Sequence, residues 1–184
     1  MKILAINSSH RRDGATKRAL DVFIDHVPEP YQVSWVDLID LDIHYCRACM
    51  YCRETDGSCL QKDDMQWLIQ EYAEADIILL GVPVYYNTVT SVLKTVIDRS
   101  LALHVSNKIT EHHPERKKMV ILSPGAGDYK SQYRSFPDVL EFYIQDLNAD
   151  LISFVKMPKL GTKRQANIEP YKKDILHALR KCLR

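Results

Sequence analysis

The run Ile77-Ile78-Leu79-Leu80-Gly81-Val82, stopped by Pro83, limits the possible folds of this chain more than any other stretch. Neither alternating face of it carries a polar group, so a strand here has to be covered on both sides, as strands of parallel sheets are. Lys2 to Asn7 and Met119 to Ser123 are similar short apolar runs that break off into polar residues. Gln32 to Leu38 alternates, with Val33 and Trp35 on one side, and predicts a less buried strand; Leu151 to Val155 predicts a fifth. Between them lie segments of helical spacing. Ala19, Leu20, Phe23, Ile24 and Val27 precede Pro28, and Met65, Trp67, Leu68 and Tyr72 follow Asp63-Asp64, an acidic pair suited to capping a helix start. Val92, Leu93, Val96, Ile97 and Leu101 form a third stripe, and helices are expected from about Pro137 to Asn148 and from about Pro170 to Leu183. Strands alternating with helices predict an α/β fold, a doubly wound parallel sheet with helices on both faces.

At 184 residues the chain is read as one domain, residues 1–184, with a cysteine-rich insertion at about 44–62. Its 25 basic and 24 acidic residues are interspersed and sum to +1, which leaves no field to draw the protein to nucleic acid or to a membrane surface. The apolar start, Met1 to Asn7, is too short for a secretion signal or a membrane span, so a cytoplasmic location is expected.

In doubly wound sheets ligands bind beyond the carboxyl ends of the strands, where strand order reverses. With order 2-1-3-4-5, three loops meet there: Ser8 to Thr16, Pro83 to Thr88 and Ser123 to Asp128. The first offers hydroxyls at Ser8, Ser9 and Thr16, the Arg11 guanidinium and the backbone N–H groups of a helix starting near Gly14, which is what a phosphate requires. The alternative is that Asp13 or Thr16 only caps that helix and the arginines are solvated. The second loop, Pro83-Val84-Tyr85-Tyr86-Asn87-Thr88, brings aromatic rings. The third, with Ser123, Pro124, Gly125 and Gly127, lets backbone approach a flat ligand. A phosphate cradle beside such walls describes a mononucleotide site that FMN fits, with the flavin and no side chain carrying the chemistry.

Cys46, Cys49, Cys52 and Cys59 fall within fourteen positions, while Cys182 stands apart and is read as packing the last helix. In a reducing compartment such grouping points to a metal or redox site more than to disulfides. Three cysteines at x2 intervals favour a [4Fe–4S] cluster; free or disulfide-forming thiols rank second and zinc third.

Ser9-His10-Arg11-Arg12-Asp13-Gly14-Ala15-Thr16 resembles the phosphate loop of the flavodoxin-like NADPH-dependent FMN reductases. Pro83 to Thr88, with Leu93-Lys94 and Ile97-Asp98-Arg99, is similar to their isoalloxazine loop and the helix after it. Within that superfamily the cysteine loop followed by Asp63-Asp64-Met65 resembles the iron–sulfur flavoproteins, although Ala48 stands where a glycine is usual. The resemblance implies a flavodoxin-like sheet, FMN held in part by Ala15, a [4Fe–4S] cluster on the four cysteines, and a homodimer or homotetramer. It also implies electron exchange with a redox partner such as a ferredoxin, or with NAD(P)H. The rival readings are a cluster-free NAD(P)H-dependent FMN or quinone reductase, and a non-enzymatic, metal-stabilised binding module on the same scaffold.

Overall fold

Five parallel strands form one sheet in the order β2-β1-β3-β4-β5. They are β1 (Lys2–Asn7), β2 (Gln32–Asp37), β3 (Ile77–Gly81), β4 (Lys117–Pro124) and β5 (Ala149–Met157) in a computed structural model that describes residues 1–161 and 166–184. Around them lie α1 (Ala15–Ile24), α2 (Tyr51–Glu54), α3 (Met65–Glu74), α4 (Ser91–Arg99), α5 (Leu101–His104), α6 (Lys108–His112), α7 (Phe136–Asp146) and α8 (Lys172–Cys182). Among the described residues no helix is long and apolar enough to cross a membrane.

The continuous apolar runs have the expected cause. In the register that sets Ala5 beside Leu79 and Leu79 beside Val120, alternate residues of each strand feed different cores. Ile3, Ala5, Ile77, Leu79, Val120 and Leu122 pack under α1 and α8, where Cys182 is fully buried. Leu4, Ile6, Ile78, Leu80, Met119 and Ile121 pack under α3, α4 and α7. Both faces are dry, so no position of β3 tolerates a polar side chain. At its end Gly81 is required by close packing, since a Cβ there would lie 2.6 Å from Thr16 Cγ2 and 2.8 Å from Leu20 Cδ1. The absent side chain lets α1 sit directly against the strand end, which fixes where the first loop opens.

Several element boundaries differ from the expectation, among them β5, which runs from Ala149 to Met157 rather than from Leu151 to Val155. The segment read as a polar loop from Asn107 to Lys118 contains α6, and β4 starts at Lys117 rather than at Met119. Lysine is a poor signal for a buried strand, yet Lys117 is fully buried because its ammonium donates to the carbonyls of Ala73 (3.1 Å) and Ala75 (2.7 Å) at the end of α3. The long helix expected through Leu101 also breaks at Ser100 into α4 and α5.

Burial pushes the Lys117 amine down to about 8, against the opposing attraction of Asp76. Between pH 8 and 10 the unfolded chain therefore holds more protons at this residue than the folded one, and stability rises with pH. The gain is bounded at about 3 kcal/mol. Above pH 10 the buried hydroxyls of Tyr72 and Tyr143, whose ionisation burial also resists, act in the opposite sense. Urea unfolding at a series of pH values should show the rise in the native protein and a flatter profile in Lys117→Met; equal slopes would contradict it.

Candidate functional site

At the carboxyl end of the sheet the loops after β1, β3, β4 and β5 enclose a cleft of about 320 Å³. Its first wall is shaped by short-range polar bonds. Asn7 Nδ2 donates to Asp37 at 2.7 Å, while its Oδ1 accepts from the Ser9 amide at 3.1 Å. Ser9 Oγ accepts from the Arg11 amide at 3.0 Å, and Ser8 donates to the Gly81 carbonyl through both its amide and its hydroxyl. The loop so folded presents the N-terminus of α1 to the cleft. Gly14, which has no side chain to offer, occupies the cap position of this helix. Ser9, Arg11, Gly14, Ala15 and Thr16 line this side of the cleft, and the first-turn amides of a helix have no acceptor within it.

The second wall is a tight turn. Tyr85 and Thr88 exchange backbone hydrogen bonds of 2.9 and 2.8 Å, and Tyr86 and Asn87 between them have φ of 45° and 61°, the signs of a type I′ turn. Asn87 is held from behind: Tyr129 donates to its Oδ1 at 2.9 Å and Ser135 to its carbonyl at 2.5 Å. Tyr85 is braced by the ring of His10, centroid to centroid 5.3 Å, while Tyr86 stands fully exposed at the lip. The third wall needs glycine, because a Cβ on Gly125 would fall 2.3 Å from Gln132 Oε1.

Pro83, Val84, Tyr85, Tyr86, Pro124 and Gly125 thus line the cleft with the phosphate-loop residues. Four residues expected there do not line it. Asn87 and Thr88 shape the turn through their backbones. Ser123 is buried and donates to the Val82 carbonyl at 2.6 Å, and Gly127 accepts from Gln132 and from the Lys159 amide. Ala126 of the third loop lines the cleft as well, and the sequence reading missed two lining residues, Leu160 and Gly161. The last two follow β5 and arrive through Leu160 N to Gly125 O (3.0 Å) and Gly161 N to Ala126 O (3.3 Å), contacts that only the sheet order could reveal.

A second constellation lies where α4 meets α5. Cys46, Cys49, Cys52 and Cys59 all line one small cavity of about 30 Å³ together with Arg99 and Gln61. Among the described residues no three His, Cys, Asp or Glu side chains converge on a single ion position. Burial raises the Cys52 thiol above its ordinary range, and the neighbouring Cys46, Cys59 and Cys49 act on it in the same direction. Gln61 Oε1 is buried there without a partner.

What anchors this loop is an ion pair. Arg99 and Asp63 have side chains only 2% and 1% exposed. Arg99 Nη1 donates to Asp63 Oδ2 (2.6 Å) and to the His44 carbonyl (2.8 Å), while Nη2 donates to Asp63 Oδ1 (2.9 Å) and reaches Cys59 Sγ at 3.6 Å. Asp63 also accepts from the amides of His44 and Met65. Burial alone would raise its carboxyl, but the Arg99 and amide hydrogen bonds outweigh that and hold it below the usual range. The expectation that Asp63 serves simply as a helix cap is therefore incomplete. It bonds the Met65 amide, but its main partner is thirty-six residues away.

The sequence profile of the NADPH-dependent FMN reductase family matches residues 1–141. The chain is 35% identical to an iron–sulfur flavoprotein of Archaeoglobus fulgidus over 58% of its own length and 52% of the relative. It spans about half the length of the iron–sulfur flavoproteins it matches. Similarity to an FMN-dependent NADH:quinone oxidoreductase of Chromobacterium violaceum is lower, 27%, but covers 78% of this chain and 79% of that protein. An FMN-dependent NADH-azoreductase of Bacillus anthracis, solved in complex with FMN, superposes over the whole of both chains with a TM-score of 0.70 at 12% identity, a likeness of fold.

The cysteine loop carries measurable strain. Ala48 and Met50 have φ of 51° and 61°, a region in which a Cβ crowds the backbone at a cost of roughly 1 kcal/mol per residue. Ala48→Gly should raise the urea midpoint by an amount equivalent to about 1 kcal/mol. A lower midpoint would show that Ala48 is not held in this conformation in solution.

Proposed function

The chain belongs to the NADPH-dependent FMN reductase family, and from that premise we propose that it is a flavin-dependent oxidoreductase that holds FMN in the cleft at the sheet edge. We further propose that a [4Fe–4S] centre on Cys46, Cys49, Cys52 and Cys59 exchanges single electrons with that flavin. The observation that carries the reading is the composition of the cleft along its length. One end combines an uncapped helix start with Ser9, Thr16 and Arg11; the other combines the Tyr85-Tyr86 turn with the close backbone of Pro124 and Gly125. An anionic tail and a flat aromatic ring on one ligand match those two ends.

In this reading Ser9, Arg11 and Thr16, with the α1 amides at Gly14 and Ala15, neutralise and hold the phosphate. Pro83, Val84, Tyr85, Tyr86, Pro124 and Gly125 flank the ring and exclude water from it. Asn87, Thr88, Ser123 and Gly127 act from behind by fixing the two loops. Bound FMN supplies one- or two-electron transfer, and the chain supplies binding, orientation and electrostatics. The donor set of the cysteine cavity, four soft sulfurs of a single loop lining one cavity, is of the type that an iron–sulfur centre takes. The segment 44–62 is then an insertion in a single FMN-binding domain. The fully exposed Tyr86 and the exposed Tyr45, Met50 and Leu60 beside the cysteines support a homo-oligomer, a dimer or a tetramer, in which neighbouring copies cover them.

A second reading has its own support. The likeness to an FMN-dependent NADH:quinone oxidoreductase covers more of the chain than the likeness to the iron–sulfur flavoproteins. In that case the cysteines stay thiols and NAD(P)H is the donor. The two readings separate on anaerobic mixing of the FMN-loaded protein with NADH or NADPH while the flavin absorbance is followed. The electron-transfer reading expects slow bleaching by either nicotinamide and full bleaching by a reduced ferredoxin or dithionite. Bleaching by a nicotinamide as fast as a reductase turns over would overturn it in favour of the second.

A further inference from the structure

Resting on the cluster reading, we propose that Arg99 is a positioning residue for that centre: Asp63 locks its guanidinium so that one N–H points at Cys59 Sγ, and this hydrogen bond sets the reduction potential. The argument starts from hydrogen counting. The two terminal nitrogens of arginine carry four hydrogens. In this structure they have four acceptors, two on Asp63, one at the His44 carbonyl and one at Cys59 Sγ, 3.6 Å from Nη2. A guanidinium satisfied at every terminal hydrogen cannot turn away from the sulfur without giving up a bond.

Asp63 is pinned just as firmly. Its Oδ1 takes Arg99 Nη2 and the Met65 amide, and its Oδ2 takes Arg99 Nη1 and the His44 amide. Carboxylate, guanidinium and sulfur thus form one rigid line from the start of α3 to the cysteine cavity. Ion pairing alone does not require this arrangement, because a bidentate arginine–carboxylate pair is complete without a third partner. The hydrogen directed at Cys59 is therefore the part that points to a role at the centre.

The chemical consequence has a sign. One electron taken up from a reductant adds one negative charge to a thiolate-ligated centre, with no ligand leaving and no proton required. A donor N–H on a ligating sulfur stabilises that added charge and raises the potential. Arg99→Lys keeps the positive charge but not the directed N–H, so a fall in potential reports the hydrogen bond rather than the charge; loss of the Asp63 lock frees the guanidinium and weakens the same bond.

The test uses the full chain reconstituted anaerobically with iron and sulfide, in native, Arg99→Lys and Asp63→Asn forms. Redox titration with dithionite and mediators is read by EPR, and circular dichroism checks the fold of each variant. The potential should become more negative in Arg99→Lys, and in Asp63→Asn the hydrogen bond from arginine to the sulfur should weaken. In native protein made with nitrogen-15-labelled arginine, the reduced centre should show a hyperfine coupling to labelled nitrogen, a reading that needs no variant to fold. An unchanged potential in Arg99→Lys, a coupling to labelled arginine undiminished in Asp63→Asn, or absence of that coupling in the native protein would overturn the role of Arg99 while leaving a loaded centre in place. A native protein that takes up no iron would instead overturn the cluster reading, and the inference with it.

Discussion

The buried pair between Arg99 and Asp63 is the constraint on which the second half of the site depends. It joins the end of α4 to the start of α3 across the base of the cysteine loop, and it reaches the loop at both ends, through the His44 carbonyl and Cys59 Sγ. Losing one member of such a pair leaves an uncompensated buried charge, at a cost of about 3–5 kcal/mol. That is a large fraction of the stability of an ordinary domain, about 5–15 kcal/mol. The pair survives burial because it is saturated with hydrogen bonds, which is the condition under which buried charges are tolerated.

α4 also links the two halves of the site. At its first turn Thr90 caps the helix, accepting from the Leu93 amide at 3.3 Å, and donates to the Ser8 carbonyl at 2.8 Å, which ties the helix to the loop of the phosphate wall. At its last turn Arg99 holds the cysteine loop. A nine-residue helix spans about 13 Å, so one rigid element spaces the cleft from the cysteine cavity. Between them the sheet contributes its twofold burial: because both faces are dry, every polar group with chemistry to offer is driven to the loops at the strand ends.

The sequence made the fold legible because burial on both faces leaves an unmistakable trace. Ile77 to Val82 could be read as a buried strand without its neighbours, and the alternation with helices as a parallel doubly wound sheet; the order 2-1-3-4-5 entered as a condition, which the sheet meets. The chemistry of the first two loops was legible for a similar reason, since Arg11, Gly14 and the Tyr85-Tyr86 pair lie next to one another in the chain. What escaped depended on distance. Leu160 and Gly161 enter the cleft only because β5 lies beside β4, and Lys117 belongs to a strand only because two carbonyls of another element receive its ammonium. Asp63 read as a cap because its local signal is that of a cap; its partner at Arg99 is a fact of packing, invisible to spacing. Ser123 shows the reverse case, a residue of the right type in the right loop whose hydroxyl is buried on the Val82 carbonyl.

The claim at the centre of this account is that one small α/β chain carries two redox groups, a flavin in the sheet-edge cleft and a cluster on the cysteine loop. The most direct measurement is the ratio of iron, acid-labile sulfide and FMN in protein purified and reconstituted without oxygen. The account predicts about four iron and about four sulfide per FMN. FMN bound in full with neither iron nor sulfide would contradict it, and would leave Cys46, Cys49, Cys52 and Cys59 as thiols beside a flavin reductase.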